Sequence, residues 1–255
     1  MNDQITPEDF VKATVKCFKN GFGIFANKVN VEDFVPKNKT DREKALFLFY
    51  VVQLDYATKS QKLYEGATKL IEDMPNFFSP NIILKFTSEE LLNICVKYLK
   101  PRYPNEAYSR YRINSKLLLE KYKGNPLEII NSSKTAKEAL RKVLEFRGYG
   151  NKTGNLLLRT LISVFNPAFE DIQEVLPPVD IHDVRIAYLL GFTENKEMTD
   201  KNINDVKIIW NEACQKAREN WITFDRALWL LGSQGQPKTK DDVLKHVGIN
   251  IEKVL

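Results

Sequence analysis

One lysine and two aspartates have the type and spacing to do chemistry. The segment Phe146-Arg147-Gly148-Tyr149-Gly150-Asn151-Lys152-Thr153-Gly154 sets Lys152 just past two glycines one residue apart. Such a pair lets the backbone turn sharply and lie against another backbone without Cβ interference. It also exposes main-chain N–H groups at the start of the next helix, a phosphate site that grips a nucleic-acid backbone without reading its sequence. A lysine there sits in the partial positive charge of the helix end, which disfavours the ammonium, and partial burial acts in the same direction. More of it is then free amine and able to act as a nucleophile. The plainer alternatives are an ordinary αα-hairpin and a solvated lysine that touches a phosphate.

Further on stands Leu176-Pro177-Pro178-Val179-Asp180-Ile181-His182-Asp183, with Asp180 28 residues after Lys152. The prolines force an extended approach, so Asp180 falls at the N-cap or first turn of a helix ending near Gly191. Taken alone it is a good cap, and a lone histidine at 182 reads as structural. In Phe224-Asp225-Arg226-Ala227-Leu228-Trp229, Asp225 and Trp229 share a helix face one turn apart. Their plain readings are a cap or surface charge and a core tryptophan.

Helices must position all of these. Thr6-Pro7-Glu8-Asp9 is a cap followed by proline, and Thr40/Glu43, Thr87/Glu90 and Thr135/Glu138 have capping-box spacing. Asn125-Pro126 repeats the cap-then-proline pattern. Apolar residues recur at three and four, as in Ala139, Leu140, Val143 and Leu144. One helix is predicted over about 135–146 and its successor over 155–164. The stretch 46–54, LFLFYVVQL, is β-branched enough for a strand, but its length and preceding cap favour a buried helix. Asn20-Gly21 is the one Asn-Gly pair, and no Asp-Gly pair, internal repeat or low-complexity stretch occurs. The fold class is all-α.

The 255 residues suffice for one large domain or two intimate smaller ones, and the net charge of +5 permits a polyanionic partner without demanding one. Three scattered cysteines imply no disulfide framework and suit a reducing cytosol, with no spacing for zinc or an iron–sulfur cluster. The acidic start MNDQITPEDF is unlike a signal peptide, and no apolar run approaches the ~20 residues of a membrane span.

Taken together, the glycine hairpin with Lys152 and the later Pro-Val-Asp180-x-His resemble the helix-hairpin-helix DNA glycosylase superfamily, which includes the endonuclease III and 8-oxoguanine glycosylase enzymes. The interval is longer than in endonuclease III, with the excess in 165–176, and that enzyme's cysteine cluster is missing. Over roughly 137–232 the order Val179-Asp180, Val184-Arg185, Ile209-Trp210, Asp225-x-x-x-Trp229 is similar to the archaeal 8-oxoguanine glycosylase family. This hairpin is richer in glycine, and the first 45 residues have no counterpart in that pattern.

The resemblance implies two helical subdomains flanking a DNA- and base-binding cleft. One would hold 1–46 and 166–255, the other 47–165 with the helix-hairpin-helix at about 135–164. It implies a base-excision repair enzyme, glycosylase and apurinic-site lyase, that removes 8-oxoguanine. Lys152 would attack the sugar C1′ and form a Schiff base, and Asp180 would stabilise the developing cation and manage the lysine's proton. Trp229 and Tyr64 would stack on the extruded base, while Asp225 would accept from the N–H groups of a guanine edge. Gly148, Gly150, Asn151 and Thr153 would hold the DNA backbone. The basic, aromatic stretch from Lys100 through Arg112 is either a further phosphate contact or a solvated face over packed tyrosines. No metal or organic cofactor enters this scheme. The partner would be damaged double-stranded DNA with a flipped-out base, bound by a monomer in a prokaryotic cytoplasm at the nucleoid, with no membrane. The alternatives are a glycosylase for another damaged base and a non-catalytic helix-hairpin-helix DNA-binding protein.

Overall fold

Helix starts signalled in the sequence carry their caps in the computed structural model, which describes residues 5–249. The Thr6 hydroxyl accepts from the Asp9 amide ahead of α1 (Pro7–Lys19). Full capping boxes open α2 (Asp41–Val52) and, after α3 (Ser60–Asp73) and the short α4 (Pro80–Ile83), α5 (Ser88–Ile94). Each satisfies end N–H groups that would otherwise lack a partner. Next come α6 (Pro104–Tyr122) and α7 (Leu127–Asn131), where the Asn125 side-chain oxygen accepts from the Leu127 amide. Thr135 caps α8 (Ala136–Val143), but the Glu138 carboxylate reaches past it to the Lys134 amide, so this box is half formed. The remaining helices are α9 (Asn151–Phe165), α10 (Ile181–Leu189), α11 (Asp200–Ala217), α12 (Trp221–Leu230) and α13 (Lys240–His246). The described residues contain no strand, and the fold is all-α.

The strand-like stretch is helix α2, and the reason it lacks a polar stripe is burial on every side from Ala45 to Val52. A helix covered all round reads as continuously apolar. α9 starts four residues earlier than predicted, so Lys152 stands in its first turn.

The chain folds as two compact units. The first takes in the chain up to Lys28 and from Leu176 onward, and the second is Val29–Val175. These boundaries lie away from 46 and 165. The turn Val31–Phe34 belongs to the second unit, where Glu32 pairs with Arg159 at 3.0 Å and the two side chains are 5% and 4% exposed. Removing one partner of so buried a pair leaves an uncompensated charge, which anchors this segment. Residues beyond α9 stay in the same unit because the Asp171 carboxylate accepts from the Ala136 and Lys137 amides at 2.6 and 3.1 Å, at the positive start of α8.

In the second unit α2 packs on α3 and α9, and Tyr50 of α2 meets Tyr111 of α6 edge-on at 4.9 Å. The Tyr111 hydroxyl donates to the Tyr50 carbonyl at 2.8 Å. In the first unit α1 lies against α11 and α12 through Phe10, Trp210 and Phe224, with ring centroids 5.2–6.3 Å apart. Burying each such ring contributes about 1.5–3 kcal/mol. Among the described residues no helix is long and apolar enough to cross a membrane, and no three His, Cys, Asp or Glu side chains gather as a metal site.

Candidate nucleic-acid interface and catalytic residues

The hairpin between α8 and α9 is held from within and from below. Gly148 has φ +89°, a left-handed conformation that costs little only for glycine. Thr153 closes the turn: its hydroxyl accepts from the Gly150 amide and donates to the Gly148 carbonyl, both at 3.1 Å. That hydroxyl is thus engaged inside the hairpin, and Thr153 is buried. Gly150 is the N-cap of α9, and a Cβ built on it would meet nothing within 4 Å. Its φ of −103° is open to any residue, so neither conformation nor internal packing requires glycine there. Asn151 is exposed and Lys152 half-buried in the first helical turn.

Two residues that the sequence did not single out fix this hairpin. The fully buried Asn114 of α6 accepts from the Arg147 amide and donates to the Arg147 carbonyl, each at 2.9 Å, and donates to Gln53, the C-cap of α2, at 2.9 Å. Tyr149, also buried, donates its hydroxyl to the Phe49 carbonyl of α2, and burial holds that phenol protonated well above its ordinary range. An asparagine on the face between Tyr111 and Leu118 was the one available signal. The arginines of the basic stretch divide. Arg110 lies against Gly148 and pairs with Glu106 at 3.6 Å, and Arg147 of the hairpin meets the same carboxylate at 3.4 Å. Arg112 instead donates inward to the Phe86 carbonyl at 2.5 Å, and Tyr111 is core.

Tyr64 is in this unit as well. It is buried, with its ring 5.5 Å from that of Phe34 and its hydroxyl donating to Asp55, which also accepts from Ser60 at 2.6 Å. Burial first, then the Asp55 carboxylate, keeps the phenol protonated.

Asp180, Asp225 and Trp229 belong to the first unit. Asp180 caps α10: its carboxylate accepts from the His182 amide at 2.7 Å, and its own amide donates to Asp183 at 2.6 Å. The cap reading is therefore correct as far as it goes, and Asp180 is buried. His182 packs against Gly232, and Arg185 of α10 donates to the Gly232 carbonyl at 2.7 Å. Asp225 is neither a cap nor a surface charge. Asn220 caps α12, and Asp225 is buried in the middle of that helix. Burial, then the neighbouring Asp225 and Glu219 carboxylates, raises the Cys214 thiol. Trp229, one turn on, is only half-buried.

No family model matches the sequence, and no curated protein does. Among solved structures, the chain is similar to the Methanocaldococcus jannaschii 8-oxoguanine glycosylase/lyase in complex with a 15-mer DNA containing 8-oxoguanine. The TM-score is 0.59 at 17% identity, over 89% of this chain and 99% of that one. The two proteins share an all-α fold.

The chain has a glycine hairpin with an amine in the first turn of its second helix. It also has a buried carboxylate at a helix cap after Pro-Pro-Val, and a buried carboxylate one turn from a half-exposed tryptophan.

Proposed function

We propose that this protein is a DNA repair glycosylase with lyase activity that removes 8-oxoguanine. The observation that carries the reading is Gly150. It caps α9 beside Lys152 in open space, where a Cβ would meet no atom of the chain, so an outside group can approach the positive start of the helix closely, and a phosphate suits that position. The shared fold with a glycosylase/lyase supports the same assignment.

In the proposed reaction the extruded nucleotide lies with C1′ against the Lys152 amine. The amine forms a bond to C1′ as the C1′–N9 bond breaks, and the base leaves with the electron pair and takes up a proton. Asp180 stabilises the positive charge that grows on the sugar and accepts the proton the amine sheds. Ring opening gives the C1′ imine. Loss of a C2′ proton and departure of the 3′ phosphate then cut the strand, and water hydrolyses the imine to free Lys152. Trp229 and Tyr64 are assigned to the faces of the base, Asp225 to the N–H groups of its Watson–Crick edge, and Gly148, Gly150, Asn151 and Thr153 to the backbone grip. In that grip Thr153 acts through the hairpin it closes.

Strand cleavage on duplexes carrying 8-oxoguanine, uracil or an oxidised pyrimidine tests the substrate. The 8-oxoguanine strand is expected to be cut fastest, and Asp225→Asn to narrow that preference about 10- to 100-fold, the worth of a hydrogen bond to a charged group. Preference for a pyrimidine lesion would move the assignment to another base.

A further inference from the structure

On the second unit, α3 and the π-turn Cys95–Leu99 enclose an open groove of about 410 Å³ lined by Lys62, Lys69, Lys97 and Lys100, with one carboxylate, Glu65. The two elements nearly touch at its floor. A Cβ on Gly66 would lie 1.9 Å from the Tyr98 carbonyl oxygen, so only glycine lets the turn lie this low on α3. Leu63, Ala67 and Leu70 take the opposite face of α3 into the core, which turns Lys62 and Lys69 outward. The far wall ends on Lys100, a non-glycine residue with φ +46° directly before Pro101. That conformation costs about 1–2 kcal/mol, and a glycine or asparagine would adopt it more cheaply, yet a lysine stands there.

All four lysines are exposed, and none makes an ion pair among the described residues, although many other basic side chains do. Glu65 is engaged by the Gln61 amide at 2.9 Å. Four ammonium groups around one carboxylate favour an anion. The groove has no open aromatic face for a base: Tyr98 is buried, its hydroxyl donates to Asp73, and the Lys97 ammonium covers its ring at 4.6 Å. Flexible lysines act as point charges toward phosphate and read no sequence. Lys62 and Lys69, seven residues apart on α3, are separated by about 10 Å, which matches about three steps of ~3.4 Å along a duplex axis.

We infer that this groove is a second phosphate-backbone site, which takes up a strand of duplex DNA apart from the α8–α9 hairpin and without regard to damage. This rests on the DNA-repair reading for its ligand. The hairpin and groove are distinct features of the unit, since α9 packs on α2 and the groove is built by α3 and the π-turn.

The test is the salt dependence of binding to a long undamaged duplex, for the native protein, Lys62→Gln/Lys97→Gln, and the control Lys85→Gln/Lys116→Gln. The control removes two exposed lysines elsewhere in the same unit. Each phosphate contact contributes about 0.9 to the slope of log K against log salt, so the groove variant is expected to lose about 2 from the slope and the control nothing. An unchanged slope in the groove variant, or an equal loss in the control, overturns the proposal. So does a groove variant that loses affinity for inorganic polyphosphate while keeping its DNA slope, which would make the ligand a free polyanion. Cleavage of a lesion duplex by the native protein, read in parallel, keeps the two readings apart. A protein that shows the slope change but cuts nothing loses the repair reading and keeps the groove; one that cuts with an unaltered slope loses the groove alone.

Discussion

Position 180 joins a helix cap and a proposed catalytic carboxylate in one side chain, and two substitutions separate them. Asp180→Asn keeps a short oxygen to accept from the His182 amide, so the melting temperature is expected to stay near native. Asp180→Ala removes the cap and is expected to cost about 1 kcal/mol. Strand cleavage is expected to fall about 100-fold or more in both, because both lose the charge that the developing cation needs. Native-like cleavage by Asp180→Asn would leave the residue a cap and nothing else. At this scale the sequence is most legible where chemistry is local. The caps at Thr6, Thr40 and Thr87 involve partners three residues away, and all are present. Asn114 was invisible as a functional support because its partner, Arg147, lies 33 residues along the chain. For Asp225, the plain alternatives of a cap or surface charge do not hold, for a similar reason: its burial comes from packing that spacing along one helix does not report.

The hairpin is the element on which the proposed function turns, and its two glycines have different duties. Gly148→Ala forces a side chain into a left-handed turn and toward the Arg110 side chain, and is expected to destabilise the protein by about 1–2 kcal/mol. Gly150→Ala meets no atom of the chain and is expected to melt like the native protein. Its added methyl stands where a phosphate would approach, and DNA affinity is expected to drop about tenfold, or about 1.4 kcal/mol. Native DNA affinity in Gly150→Ala would remove the N-cap of α9 from the interface. The hairpin itself was readable from Gly-x-Gly and the leucines that follow. Its exact edge was not, because Gly-Asn-Lys-Thr has the composition of a loop, while the Thr153–Gly150 hydrogen bond draws those residues into the first turn of α9.

At the scale of the whole molecule, acid should weaken the fold through its capping carboxylates. The Thr40 hydroxyl and amide, and then Lys39, lower Glu43 from an ordinary 4.5 to about 2; backbone and hydroxyl donors at the caps also lower Glu90 and Asp242, and the Lys134 amide and then the Lys142 ammonium lower Glu138. Between about pH 4.5 and 2 the unfolded chain takes up protons that the folded one refuses, so stability is full above that window and is lost as pH falls through it. Thermal melts are expected to show this acid limb, and Thr40→Ala to make it shallower; a limb unchanged by Thr40→Ala would deny the box a part in it. The all-α class was legible because caps and periodicity are local, and the unit boundaries were not, because the Arg159–Glu32 pair and the Asp171 contacts with α8 join distant segments. The central claim, that the amine at 152 carries out the chemistry of such a molecule, is tested most directly by borohydride reduction in the presence of an 8-oxoguanine duplex. The native protein is expected to become covalently fixed to the DNA and Lys152→Gln not at all. Equal fixation of both proteins, or of neither, would contradict it.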